Sequence, residues 1–483
     1  MQPTHTASSP INQIAFSVVD LQRTERWFRE GLGFMPSGGS RILMSSPLAA
    51  KVQGLPGAAS TCWWMVGRNT WLQLELFQFR QPIAELMPHD ARACDIGYRR
   101  IGVWVQDFDA TLHQLALLGT RPIGPILNST GERRTCVRNP DGVFVELMEA
   151  DPIREVVNGQ RTACPVAIRS ITVSTPDLAA SLAYFQSLTM GETQAVALHT
   201  SEHESLWELP GAQCCSAVLL CGDVLLELVQ YSQPQARSWP HGYRLSDQGI
   251  LNIALGTRDK QAHRALCQRA AGIGSKAISN PVYLPGAGVQ YVEDALGFSV
   301  ELLYMSRRSD SRFGFEPQTI HQRPRADSQR VQATVVVNAP IEMVWSALND
   351  HARMGAWIGF PNVQRVRQGA PDPNGRGAQR RMQGLPGVVV EEIVGVEDLS
   401  KIRYRVVRGG PVIFHQGEVC VERLSPQSTQ VHWSIRFRAR IPLLGGLLRW
   451  ILGRMLCHIL ERGFKPFIET AAGLHTTNHR PRQ

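Results

Sequence analysis

Apolar positions along the first 305 residues fall into four similar runs. Each opens with a strand pattern that ends in Asp: Gln13 to Asp20, Arg100 to Asp107, Ser170 to Asp177 and Asn252 to Asp259. Each Asp stands just before apolar residues at helical spacing, so its expected role is to cap a helix N-terminus. Each run closes on a short apolar strand interrupted by one carboxylate: Leu74-Glu75-Leu76, Val145-Glu146-Leu147, Leu226-Glu227-Leu228 and Val300-Glu301-Leu302. The last three follow Gly142, Gly222 and Gly297, and the fullest version of the turn is Asn139-Pro140-Asp141-Gly142, where glycine supplies positive φ. A lone carboxylate in an apolar strand needs a partner.

The pattern predicts four βαβββ units. Units one and three share Leu-Pro-Gly-Ala, at 55–58 and 209–212, and place the aromatic pairs Trp27-Phe28 and Tyr184-Phe185 alike. Units two and four also resemble each other, so consecutive units are expected to pair, giving domains at 11–150 and 165–305. Residues 306–329, rich in Arg, Ser, Gln and Pro, read as a linker.

From 330 to 475 the pattern returns to a folded domain. A strand at Val331 to Val337 precedes two short helices, strands up to Phe437, and a long helix from Leu443 to Ala472 that Pro466 is expected to kink. Strand alternation turns Tyr404 inward with Ile402 and Val406, His415 with Ile413, Gly417, Val419 and Val421, and Trp433 with Val431, Ile435 and Phe437. His432, Arg436 and Arg438 fall on the other face, and Trp357 is placed as a roof. The fold class is therefore α+β.

The net charge of +9 adds little to this picture, because its densest parts are the linker and the tail residues Arg480 and Arg482. No aromatic-interleaved basic groove suggests nucleic acid. The ten cysteines form no Cys-x-x-Cys pair, so reduced thiols are expected rather than disulfides or structural zinc. Met1 to Pro10 lacks a signal-peptide pattern, and Ile441 to Leu460 is broken by Arg449, Arg454, His458 and three glycines. A cytoplasmic protein without a membrane span is the expectation. No nucleotide loop, flavin signature or nucleophile elbow is present.

Residues 11 to 305 resemble the vicinal oxygen chelate superfamily, which includes glyoxalases, bleomycin-resistance proteins and extradiol dioxygenases. The residues that carry the likeness are Ile-Asn-Gln-Ile-Ala-Phe-x-Val-x-Asp at 11–20, Asn-Pro-Asp-Gly-x-x-x-Glu-Leu at 139–147, and the Leu-Pro-Gly-Ala loops. Residues 330 to 473 are similar to the START-like polyketide cyclase/dehydrase (SRPBCC) type of helix-grip domain, through Val-Asn-Ala-Pro-Ile-Glu-Met-Val-Trp-Ser-Ala-Leu at 337–348 and the long last helix.

In that superfamily two units form a cup, and metal ligands come from the residue opening the first strand and the Glu of the last strand of each unit. Carried over by position, the resemblance implies one cup of Gln13, Glu75, Arg100 and Glu146 and a second of Ser170, Glu227, Asn252 and Glu301. Arg100 cannot ligate a metal and is expected to stand between Glu75 and Glu146 in place of the cation. Cofactor-free cups are preferred, with a divalent metal held by Glu227, Glu301, Asn252 and Ser170 as the alternative. Extradiol oxygenase chemistry is disfavoured, because the positions that would supply two His hold Ser170 and Asn252.

The functional expectation is a small-molecule tailoring enzyme of secondary metabolism or aromatic catabolism. It would use proton-transfer chemistry, namely cyclisation, isomerisation, dehydration or epimerisation, on a hydrophobic intermediate. Candidate catalytic residues are Arg100, Glu75, Glu146, His415 and Tyr404, and candidate substrate contacts are Gln13, Trp357 and Trp433. The alternatives are a resistance-type protein that sequesters a ligand and a glyoxalase-type, metal-dependent lyase or isomerase.

Overall fold

The computed structural model describes residues 9–473 except 41–43, 89, 130–131, 154–160, 162, 196–197, 320–327, 361, 385–386 and 442–443. Linker residues Arg323 and Arg325, the tail arginines and most of the first ten residues lie outside the described residues. The chain divides into two compact units, 1–325 and 326–483.

In the N-terminal unit the repeated signals act as the sequence indicates. Asp20, Asp107, Asp177 and Asp259 each accept a backbone N–H three residues on, at 3.2, 2.9, 2.9 and 2.7 Å. Asn139 Oδ1 accepts the backbone N–H groups of Asp141 and Val143, both at 2.9 Å, and Gly142 takes φ +84°. Unit four repeats this turn with Asp294, which accepts from Leu296 and Phe298. Replacing Asn139 by Ala strands two buried donors, and urea denaturation is expected to show a loss of about 1–3 kcal/mol.

The units pair differently from the chain-order expectation. Within each unit the opening strand runs parallel to the carboxylate-bearing strand, as Ile11–Ser17 does with Gln73–Gln81 and Gly97–Val105 does with Phe144–Met148. Between units, Ile11–Ser17 lies antiparallel to Gly249–Thr257, and Gly97–Val105 lies antiparallel to Val166–Ser174. Unit one therefore joins unit four in a nine-stranded sheet, and unit two joins unit three in an eight-stranded sheet, among the described residues. The expected domains 11–150 and 165–305 are corrected accordingly. All four opening strands are apolar enough to mate with one another, so the repeat identifies the units but leaves their partners open. The two inter-unit seams share one core containing Ile14, Ile101, Ile171 and Ile253.

The expected linker is also shortened by the structure. Phe313 and Phe315 pack with Met305 and Ala287, Gln73 Nε2 donates to the Phe313 carbonyl at 2.9 Å, and Gln318 N donates to the Pro36 carbonyl. These aromatic residues are spaced too irregularly to reveal an element, yet they cover one side of the nine-stranded sheet.

Among the described residues the C-terminal unit has a seven-stranded antiparallel sheet holding a terminal helix. The helix runs through Gly445–His458, a wider turn at Ile459–Phe464, and Lys465–Ala471. The irregular turn sits just before Pro466, whose ring crowds the preceding carbonyls. Leu456, Leu460, Phe464 and Ile468 of this helix pack on Val331, Val335, Trp433 and Phe437. Gly463 permits the approach: a Cβ there would meet the Trp357 carbonyl oxygen at 2.1 Å. The inward face of Val412–Ser425 departs from strict alternation. A bulge between Val412 and Phe414 leaves Ile413 46% exposed, whereas Val412, Gly417 and Val419 are buried.

Candidate functional site

The nine-stranded sheet brings Gln13 and Glu75 of unit one to Asn252 and Glu301 of unit four. Ala15 of the first opening strand faces Asn252 of the other, and each glutamate lies on the parallel neighbour of its own opening strand. Gln13 Nε2 donates to Glu75 Oε2 at 2.5 Å, while Trp64 Nε1 and Cys62 Sγ donate to Glu75 Oε1 at 2.9 and 3.0 Å. Tyr291 faces Glu301 and Asn252, and Glu301 Oε2 is buried without a hydrogen-bond partner. Gln13, Glu75, Tyr291 and Glu301 line a cavity of about 330 Å³ walled by Met44, Leu48, Phe77, Leu303, Phe313 and Phe315.

Two carboxylates buried together at 8% and 6% exposure, with no cationic side chain among the described residues acting on either, favour protonation. Burial raises Glu75 to about 7 against the opposing hydrogen bonds from Trp64 and Cys62. Burial and the neighbouring Glu75 charge push Glu301 well above the carboxylate range. One group is thus poised to ionise near neutrality while the other keeps its proton.

The same oxygen-rich set fits a hard divalent ion, since Glu301 Oε2 lacks a partner and Glu75, Gln13 and Asn252 carry further oxygen donors. An ion held by these four would supply Lewis-acid polarisation of a substrate oxygen. The four-residue metal set expected from chain order is corrected: Asn252 and Glu301 belong to this sheet, whereas Ser170 and Glu227 belong to the other.

In the eight-stranded sheet Arg100 pairs with Glu227 at 2.8 Å and Glu146 at 3.3 Å, and not with Glu75. The expectation that Arg100 stands between Glu75 and Glu146 is corrected: Glu227 takes the place of Glu75, because unit two mates with unit three. Burial opposes the Arg100 charge, but Glu227 and Glu146 outweigh it and raise the group further. Its guanidinium lies 3.3 Å from the Trp207 ring centroid. Arg134 pairs with Glu146, Thr172 Oγ1 donates to Glu227 at 2.7 Å, and His199 Nδ1 meets Glu227 Oε1 at 2.5 Å. Burial would raise Glu227, yet His199, Arg100 and Thr172 bring it down to about 2. Arg100 and Glu146, nominated as catalytic, are here 2% exposed and committed to ion pairs.

In the C-terminal unit Trp433 Nε1 donates to the Tyr404 hydroxyl at 2.7 Å, and the His415 ring lies 5.6 Å from that of Tyr404. Gly417 makes room, since a Cβ there would meet the Tyr404 ring at 2.0 Å. Beneath them lies a buried ion pair that sequence reading missed, Arg380 to Glu391 at 2.8 Å, with the guanidinium 4.7 Å from the Tyr404 ring. Its signal was available: Arg380 and Glu391 alternate in phase with buried Met382 and Ile393. Burial and Arg380 lower His415 to about 4, so the imidazole is neutral at physiological pH. Trp357 packs edge-on to Trp433 and Phe464. A wider cavity of about 770 Å³ opens beside it, lined by Phe360, Gln383, Met455 and His458 among others.

A family model described as polyketide cyclase / dehydrase and lipid transport matches this unit. The match spans residues 328–472. Comparison with curated proteins gives no match. Among solved structures, glyoxalase I from Zea mays is similar at 16% identity and a TM-score of 0.42, over 62% of this chain and 92% of that one. A putative dioxygenase from Bacillus subtilis is similar at 12% identity and a TM-score of 0.42, over 63% and 90%. The Zhui aromatase/cyclase from Streptomyces sp. R1128 is similar at 18% identity and a TM-score of 0.27, over 31% and 98%. The family match covers the C-terminal unit alone. No helix among the described residues is long and apolar enough to cross a membrane.

Proposed function

We propose that the chain is a small-molecule tailoring enzyme in which Glu75 and Glu301 move a proton on a hydrophobic substrate bound between units one and four. The observation that carries this reading is the buried Glu75–Glu301 pair opening into an apolar cavity. Near neutrality Glu75 is the base and protonated Glu301 is the acid, a division of labour set by environment alone. The reaction class is cyclisation, isomerisation, dehydration or epimerisation, each of which needs a proton removed at one atom and returned at another. Gln13, Trp64 and Cys62 hold Glu75 in place, and Phe77, Leu303, Phe313 and Phe315 keep water from the ionised form. The C-terminal domain is assigned the holding of a hydrophobic intermediate, with Tyr404, His415, Trp433 and the Arg380–Glu391 pair facing it. Its matching family, polyketide cyclase / dehydrase and lipid transport, is compatible with that role.

The test starts from a small molecule that co-purifies with the protein, identified by native mass spectrometry. Incubated with enzyme in deuterium oxide, it is expected to acquire solvent deuterium or rearrange, at a rate that falls as pH drops below about 7 and Glu75 becomes protonated. Glu75→Gln is expected to slow this about 100-fold. Unchanged exchange in both Glu75→Gln and Glu301→Gln would sink the reading, and a ligand bound stoichiometrically and released unlabelled would identify a sequestering protein instead.

A further inference from the structure

We propose that His199, Glu204 and Cys214 form a binding site for a zinc-type divalent ion beside the Arg100 network. These residues come from a loop, the short helical turn Ser201–Trp207 and the strand Gln213–Leu220. Their ligand atoms converge: His199 Nε2 to Glu204 Oε1 is 3.1 Å, Glu204 Oε1 to Cys214 Sγ is 3.3 Å, and His199 Nε2 to Cys214 Sγ is 3.7 Å. Ligands about 2.0–2.3 Å from a tetrahedral zinc stand roughly 3.3–3.8 Å apart, so this triangle already has the size of one face of a zinc site.

The surroundings point the three atoms at one another. His199 is held from behind by Glu227 on Nδ1 at 2.5 Å, and Glu204 is held from behind by the Tyr231 hydroxyl on Oε2 at 3.1 Å. A carboxylate on the far nitrogen of a histidine fixes the ring for metal binding. His199 and Glu204 are buried, and the partly exposed Cys214 provides the way in.

The surrounding charge suits a cation: Glu204 is itself a ligand, and Glu227 and Glu146 lie in the same network. Zinc binds histidine through a neutral ring nitrogen and cysteine through a thiolate. The fourth position is left to water. The ion would tie the Ser201–Trp207 turn, and with it the Trp207 ring over Arg100, to the sheet.

Full-length protein, stripped with chelator and then titrated with Zn²⁺ or Co²⁺, is expected to bind one ion. Cobalt binding should produce a thiolate charge-transfer band that Cys214→Ser removes and Cys215→Ser keeps. Glu227→Gln, which leaves all three ligands in place, should weaken binding about 10–100-fold. Circular dichroism identifies any variant that fails to fold, and His199→Gln provides a second ligand loss. Absence of stoichiometric binding, or an ion that survives Cys214→Ser and is lost in Glu301→Gln, would overturn the assignment and, in the second case, place the metal on the other sheet.

Discussion

Replacing Arg100 by Met is expected to cost the N-terminal unit about 3–5 kcal/mol, the penalty for breaking a buried ion pair by removing one partner. The guanidinium serves two carboxylates, Glu146 and Glu227, both buried to within 2% of completely. Arg134 still covers Glu146 and His199 still covers Glu227, so the loss should remain within that range. Trp207 also loses the cation on its face. Urea denaturation followed by tryptophan fluorescence measures the effect. The comparison with Glu227→Gln is informative, because that change removes a negative charge from a network already rich in cations and leaves Arg100 with Glu146. A loss below about 1 kcal/mol for Arg100→Met would mean that water enters this sheet far more than the burial indicates.

The second large effect is pH-dependent. Glu75 has its folded pKa raised from the ordinary 4.5 to about 7. A raised carboxylate binds its proton more tightly in the native state, so its contribution is complete below about pH 4.5 and is lost as pH rises through 7. The shift corresponds to about 3 kcal/mol. Among the described residues the groups facing Glu75 are Gln13, Cys62, Trp64 and the Glu301 carboxyl, none of them cationic. His203, lowered by burial to about 4, and His199, raised against burial by Cys214, Glu204 and Glu227 to about 11, also titrate differently on folding. They do so in wild type and variant alike. The quantity to follow is therefore the stability of Glu75→Gln relative to wild type, which should rise by about 2–3 kcal/mol from pH 5 to pH 8. A flat difference would show that a bound cation, rather than a proton, neutralises the pair, and adding chelator would then restore the slope.

Local signals in the sequence determined the units of this protein. Four aspartate caps and the Asx-Pro-Asp-Gly turn are read from short-range chemistry and make their expected backbone contacts, and the carboxylate in each closing strand is buried. The alternation that turned Tyr404 and Trp433 inward held for the same reason, failing only at the bulge before Phe414, where one inserted residue exchanges the faces. Glu75, Glu146, Glu227 and Glu301 were legible as buried carboxylates needing partners.

Which partners they received was decided by tertiary structure. The four opening strands are chemically interchangeable, so sequence order alone could not place unit one against unit four. That single choice separates Glu75 from Arg100, leaves Glu75 and Glu301 without a cationic partner among the described residues, and gathers Arg100, Arg134 and His199 with Glu146, Glu204 and Glu227 on the other sheet. The His199, Glu204 and Cys214 convergence was invisible for a related reason: their spacing follows no helical or strand period, and only the folding of a loop back on its own sheet makes them neighbours.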